Sequence, residues 1–326
     1  MRRRTFFPLL GGAAAIWPLR AVAQQPGTLK RIAYINPASA NAATRSTYDA
    51  WLKALTALGW TEGRTITIDQ HWAGGDAEKL RQMTAKAVAD KADLLVTVGQ
   101  AAFTARDATK TIPTVAINLE AEPVADGLVQ SLARPGGNIT GMFLNAPELG
   151  VKLLQLLKEI MPELARVGVL SQPVVSDRQL AAVMAASGGL GLTVTHLPFK
   201  ALADIETSLA AMRAAKAQAL LVLPSPLMNQ SSAPIAAMAM KAAVPSVSMF
   251  RTFSEYGGLL HYGPVLTDIF RRSATLCDRI LRGTRPADLA AEQPTKFEMA
   301  LNLKTAKALG LTIPLLVLAQ ADEVIE

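Results

Sequence analysis

Glu120 and Glu122 stand two residues apart in "INLEAEPV", at the end of an apolar run. In an extended segment that spacing turns both side chains to the same side. Two carboxylates of unequal proton affinity can act as acid and base on a glycosidic bond. The same pair also reads as a solvated loop acid followed by an acid at a helix start, where the partial positive charge of the helix end favours it. Pro123 suits that second reading, because proline fits a first helical turn. The residues alone leave both open.

Few other groups are arrayed for chemistry. The chain has no Gly-x-Ser-x-Gly nucleophile turn and no Gly-x-x-x-x-Gly-Lys-Ser/Thr phosphate loop. "GQAAFTA" holds too little glycine for a dinucleotide fingerprint. His71, His196 and His261 lie far apart, each in or near an expected strand, so no metal site is expected. Cys277 shares an apolar helix face with Phe270, Ala274, Ile280 and Leu281, which reads as a buried core thiol. No cofactor is implied.

The elements that must position these groups are legible. "RIAYI" (31–35) is a strand, followed by a helix with Tyr48, Trp51, Leu52, Leu55 and Leu58 at helical spacing and Gly59 at its end. "TITIDQHW", "DLLVTVG" and "TIPTVAIN" follow as strands, with Asp76 capping the helix after the first of them. The alternation restarts after Gly141, with "RVGVLS", "TVTHLPF", "QALLVLPS" and "VPSVSMF" as strands. Strands separated by helices predict right-handed βαβ units and parallel sheets, here two sets of four or five strands. Turn chemistry marks candidate crossovers at "ARPGGNITG" (133–141), "YGGLLHYGP" (256–264) and within 287–303.

In such sheets ligands sit beyond the carboxyl ends of the strands, where helix starts offer free N–H groups. The residues after each strand are therefore the candidates: Asn36 to Ser39, Gly99 to Ala102, Asn118 to Glu122, Ser171 and Gln172, Pro224 to Pro226, and Phe250 with Arg251.

The bulk composition narrows the class. With 326 residues, half of them hydrophobic, the chain can build about two domains. Aromatic residues make up 5%, which argues against a stacking surface for single-stranded nucleic acid. The net charge of +7 is largely N-terminal: residues 1–23 hold Arg2, Arg3, Arg4 and Arg20, four of the 33 basic residues, and none of the 26 acids. The remaining charges are mixed, so no nucleic-acid partner is expected.

The N-terminus itself reads as an export signal. "MRRRTFF" is its charged start, "PLLGGAAAIWPL" its short apolar stretch, and Ala21 and Ala23 predict cleavage before Gln24. About a dozen apolar residues fall short of the roughly 20 that span a bilayer, so no stable membrane insertion is expected after cleavage. Arg3-Arg4-Thr5-Phe6-Phe7 resembles a twin-arginine signal, and an ordinary secretory route stays open. The expected location is the periplasm. With Cys277 as the only cysteine, the exported chain has no internal disulfide.

Longer stretches carry a family resemblance. They are "LGWTEGRTITIDQHWAGGDAEKL" (58–80), "AEPVADGLVQSLARPGGNITG" (121–141), "YGP" with "DIFRRSA" (262–274), "ADLAAEQPTKFEMALNLKTAKALGLTIP" (287–314) and the closing "AQADEVIE" (319–326). Together they resemble the ABC-transporter substrate-binding family that includes the TrpX-like proteins. The resemblance implies a type I periplasmic-binding fold, an α/β architecture of two doubly wound parallel-sheet lobes joined by a three-strand hinge. It implies residues 24–140 plus about 265–292 for the first lobe and 141–264 plus about 293–326 for the second, after the signal at 1–23. Residues 119–141 then become a cleft-lining end and the turn into the hinge. The implied role is a periplasmic component of an ABC importer, not an enzyme, that traps a small molecule for a permease and an ATPase. An amino acid or another small carboxylate is the expected ligand class. Gln100 and Ala101 would offer N–H groups, Ser39, Ser171 and Ser225 hydroxyls, Phe250 and Tyr262 an apolar wall, and Glu120 would face the ligand. Two alternatives remain at this point: an exported enzyme using Glu120 and Glu122, and a protein that presents its ligand to a sensor.

Overall fold

The computed structural model describes residues 29–326. The export signal read at 1–23 lies outside them. The chain begins with β1 (Lys30–Asn36), α1 (Ala42–Ala57), β2 (Ile66–Trp72), α2 (Ala77–Ala89), β3 (Leu94–Val98), α3 (Ala101–Ala108), β4 (Thr114–Asn118) and β5 (Ile139–Phe143). These strands form one parallel sheet in the order β2-β1-β3-β4-β5. Ile32 to Asn36 are buried without interruption, as they must be in a strand covered on both faces. Helix α1 starts on a reciprocal cap, with Asn41 Oδ1 accepting from Thr44 N–H and Thr44 Oγ1 from Asn41 N–H. Its Tyr48, Trp51 and Leu55 turn inward, and Trp51 packs on Tyr34 at 5.4 Å and Tyr48 at 5.6 Å between ring centroids.

The second part runs α4 (Ala146–Ile160), β6 (Arg166–Ser171), α5 (Asp177–Ser187), β7 (Thr193–Pro198), α6 (Asp204–Ala214), β8 (Ala219–Val222), α7 (Pro226–Gln230), α8 (Ser232–Lys241), β9 (Ser246–Ser248), α9 (Arg251–Glu255) and β10 (Leu260–Pro264). The chain ends with α10 (Leu266–Leu281), β11 (Phe297–Asn302), α11 (Leu303–Ala308), α12 (Leu315–Leu318) and β12 (Glu323–Ile325). The second sheet has seven strands, in the order β12-β11-β10-β9-β8-β6-β7. It is parallel except where β10 meets β11 antiparallel, with Tyr262 opposite Met299.

Two α/β lobes result, and the chain passes between them three times: after Phe143, after Pro264, and between Glu292 and Phe297. Helix α10 returns to the first lobe and lies along α1. Trp60 Nε1 donates to Asp278 Oδ1 at 2.8 Å, and Arg282 covers the Trp60 ring. Cys277 is buried in that seam beside Trp51, and burial pushes its thiol up to about 12. The division expected at 140 falls inside β5, whose pairing with β4 holds Ile139–Phe143 in the first sheet. The stretches read as crossovers at 256–264 and within 287–303 contain β10 and β11.

Two of the passages are stitched together. Glu292 N–H donates to Gly141 O at 2.8 Å, and Phe143 N–H donates to Glu292 O at 2.9 Å. Gly141 has φ +159°, and a Cβ there would lie 1.8 Å from Ala116 O. Only glycine allows β5 to approach β4 that closely while it also bonds Glu292.

Candidate functional site

A cavity of about 380 Å³ lies between the lobes, beyond the carboxyl ends of β1, β3 and β4. Such crevices are where open parallel sheets bind ligands. Side chains after those strands are tied back onto the backbone. Asn36 Oδ1 accepts from Ala38 N–H at 2.9 Å. Asn118 Oδ1 accepts from the N–H groups of Glu120 (3.0 Å) and Ala121 (2.8 Å), while its Nδ2 donates to Gly99 O at 2.9 Å. One asparagine thus fixes the turns after both β3 and β4.

That turn decides the fate of the two acids. It ends the extended geometry at Asn118, so Glu120 and Glu122 do not share a side. Glu122 is exposed, lies outside the cavity lining, and accepts the Ala125 N–H in its own turn. Glu120 lines the cavity. Its Oε2 is shielded from solvent and has no hydrogen-bond partner. Burial pushes the Glu120 carboxyl up to about 7, against the pull of the Leu119 and Glu120 N–H groups. The two acids therefore sit in different surroundings, Glu120 at the cavity and Glu122 at the surface.

Gly99 completes this corner. It sits in the left-handed region at φ +50°, and a Cβ on it would stand 3.7 Å from both Glu120 Oε2 and Pro226 Cγ. Pro226 belongs to the second lobe, so the lobes meet where the carboxylate is buried. The second lobe adds Asn229, Gln230, Phe250, Arg251 and Tyr256, and α10 adds Leu266 and Phe270. Arg251 is already engaged: it binds Glu255 at 3.1 Å, Glu298 at 3.2 Å and also Glu323. A second contact spans the lobes, from Arg178 on α5 to Asp126 in the segment after β4, at 2.5 Å.

Of the residues given a ligand role from the sequence, the structure brings Glu120 and Phe250 together at the cavity, and Asn36, Pro37, Ala38, Gly99, Leu119, Pro226 and Arg251 from the wider set after the strands line it with them. Ser39 is exposed beside it, and its carbonyl accepts from Thr44 Oγ1. Gln100 is half-buried at the start of α3, where its side chain makes no capping bond, and Ala101 is buried in the core of the first lobe. Ser171 is buried against His196 Nε2 at 2.8 Å. Ser225 is buried as the cap of α7, accepting from Met228 N–H at 3.1 Å. Tyr262 stacks on Phe297 in a separate cavity of about 400 Å³ at the hinge, with Asn145, Glu148, Lys152 and Gln293. Among the described residues no cluster of three or more His, Cys, Asp or Glu could hold a metal ion. Sequence reasoning missed the start of α1, where Asn41 to Thr44 line the cleft, and missed Tyr256 and Phe270. The capping pattern at Asn41, placed just after β1, was the available signal for the first.

No helix among the described residues is long and apolar enough to cross a membrane. The profile of the ABC transporter substrate binding protein family matches residues 32–325. A tyrosine-binding protein of Clostridioides difficile is 25% identical over 265 residues, 80% of this chain and 75% of that one. A Streptococcus pneumonia ABC domain solved in complex with L-Trp is 24% identical, with a TM-score of 0.84 over 91% of this chain and 100% of that one. The ligand-free, open structure of an adhesive substrate-binding protein from Clostridium difficile is also 24% identical, with a TM-score of 0.69 over 91% and 99%. The two lobes, the cleft beyond the strand ends and the match over nearly the whole described chain lead to one conclusion: the chain belongs to the ABC transporter substrate-binding protein family.

Proposed function

We propose that this protein is the periplasmic solute receptor of an ABC importer, closing its two lobes over one small molecule for delivery to a permease and an ATPase. The observation that carries this reading is the cavity between the lobes, walled by both of them and built around one buried carboxylate. At about 380 Å³ it suits a small solute rather than a polymer. The better superposition on the L-Trp complex than on the open, ligand-free protein, at equal identity, supports a closed arrangement of the lobes. Closure of this kind requires a solute that binds the closed state better than the open one, which is why both lobes must contribute contacts. The N-terminal signal supports periplasmic residence. Mass spectrometry of solute released from purified, denatured protein tests the reading. One small molecule at near-equal stoichiometry is expected, chemically unchanged after long incubation. A molecule consumed during incubation would favour an enzyme instead.

A further inference from the structure

We propose that Glu120 is the specificity-determining group of this cleft, and that the solute it selects carries an ammonium head on an apolar body. This rests on the receptor reading and narrows it to a ligand class. Glu120 Oε2 is shielded from water, lies at the meeting point of Gly99 and Pro226, and has no partner in the protein. A buried polar atom of this kind needs a donor, and a buried charge needs a counter-charge. The protein supplies no donor to Oε2 and no counter-charge: Arg251 is the other ionisable side chain whose charge lines the cavity, and it is committed to Glu255, Glu298 and Glu323. The uncompensated charge of the lining is therefore negative. An ammonium satisfies Glu120 in both hydrogen bonding and charge. A carboxylate-only solute would set like charge against like, with no free cation to hold it. The rest of the wall includes Val98, Ile117, Leu119, Phe250, Leu266 and Phe270, which take an apolar body.

A matched series of four probes separates these chemistries: phenethylamine, L-phenylalanine, 2-phenylethanol and 3-phenylpropionate. Each is titrated calorimetrically at pH 8 into protein stripped of retained solute by unfolding and refolding, and into Glu120→Gln treated alike. The two ammonium probes should bind the native protein, and 3-phenylpropionate should not. Glu120→Gln should weaken phenethylamine about 10- to 100-fold while circular dichroism stays native. Binding of 3-phenylpropionate as tight as that of phenethylamine would overturn the proposal, as would a Glu120→Gln affinity within twofold of native. If no probe binds, the solute recovered by mass spectrometry decides. One with a protonatable nitrogen supports the proposal, and one without overturns it but leaves the receptor reading intact. No probe binding and no recovered solute would overturn both.

Discussion

The buried Glu120 carboxyl should make closure of the empty lobes depend on pH. In the closed form its proton affinity corresponds to about 7, against an ordinary value of 4.5. In an open form water reaches the carboxylate and the ordinary value returns. The closed form therefore holds the proton more tightly, so closure is favoured below about 4.5 and loses ground as pH rises toward 7. Above about 7 the full cost applies. At 1.36 kcal/mol per pH unit, the difference amounts to about 3 kcal/mol, or roughly 300-fold in the closure equilibrium. Small-angle scattering of solute-free protein from pH 4.5 to 8.5 reads this as a rising radius of gyration. Glu120→Gln should give a flatter curve and a more compact protein at pH 8.5. The variant keeps the Asp126–Arg178 contact and the Arg251 cluster, so the difference between the two curves isolates Glu120. Superimposable curves, or a native protein that compacts as pH rises, would show that the Glu120 carboxyl does not govern closure.

Other perturbations have separate readouts. Phe250→Ala removes a buried aromatic wall of the cleft and should cost about 1–3 kcal/mol of solute binding, measured by calorimetry on the folded variant, and should also lower Tm because Phe250 belongs to the packed core. Arg178→Ala breaks the ion pair across the cleft rim; because that pair is partly exposed, the loss in affinity should be about 0.2–1 kcal/mol, seen as faster solute release. Gly141→Ala forces a Cβ against Ala116 O and should lower stability by about 4 kcal/mol or more in urea unfolding, or prevent folding.

Much of the fold was legible because buried parallel strands have a plain signature. "RIAYI" and "DLLVTVG" are apolar on both faces, and the eight strands read from the sequence, β1 to β4 and β6 to β9, lie where expected. The strands that escaped notice are short or resemble turns. β5 begins beside Gly136 and Gly137, and β10 sits in the glycine-rich "YGGLLHYGP". β11 runs antiparallel to β10, a pairing that simple βαβ alternation does not suggest. At the site, position after a strand pointed to Glu120 and Phe250, both of which line the cavity. It could not tell whether a serine hydroxyl is free for a ligand, since Ser225 caps a helix and Ser171 binds His196. Nor could spacing reveal that Asn118 folds back on the chain and separates Glu120 from Glu122. Phe270 joins the cleft only because α10 crosses back to the first lobe, a long-range event with no local mark.

One small molecule should be held between the lobes with its donor on Glu120. A crystal structure of the protein purified with its retained solute tests this most directly. The solute should lie between Gly99, Glu120 and Phe250, with a nitrogen within hydrogen-bond distance of the Glu120 carboxylate. A solute seated instead in the Tyr262–Phe297 cavity at the hinge, with the cleft holding only water, would contradict it.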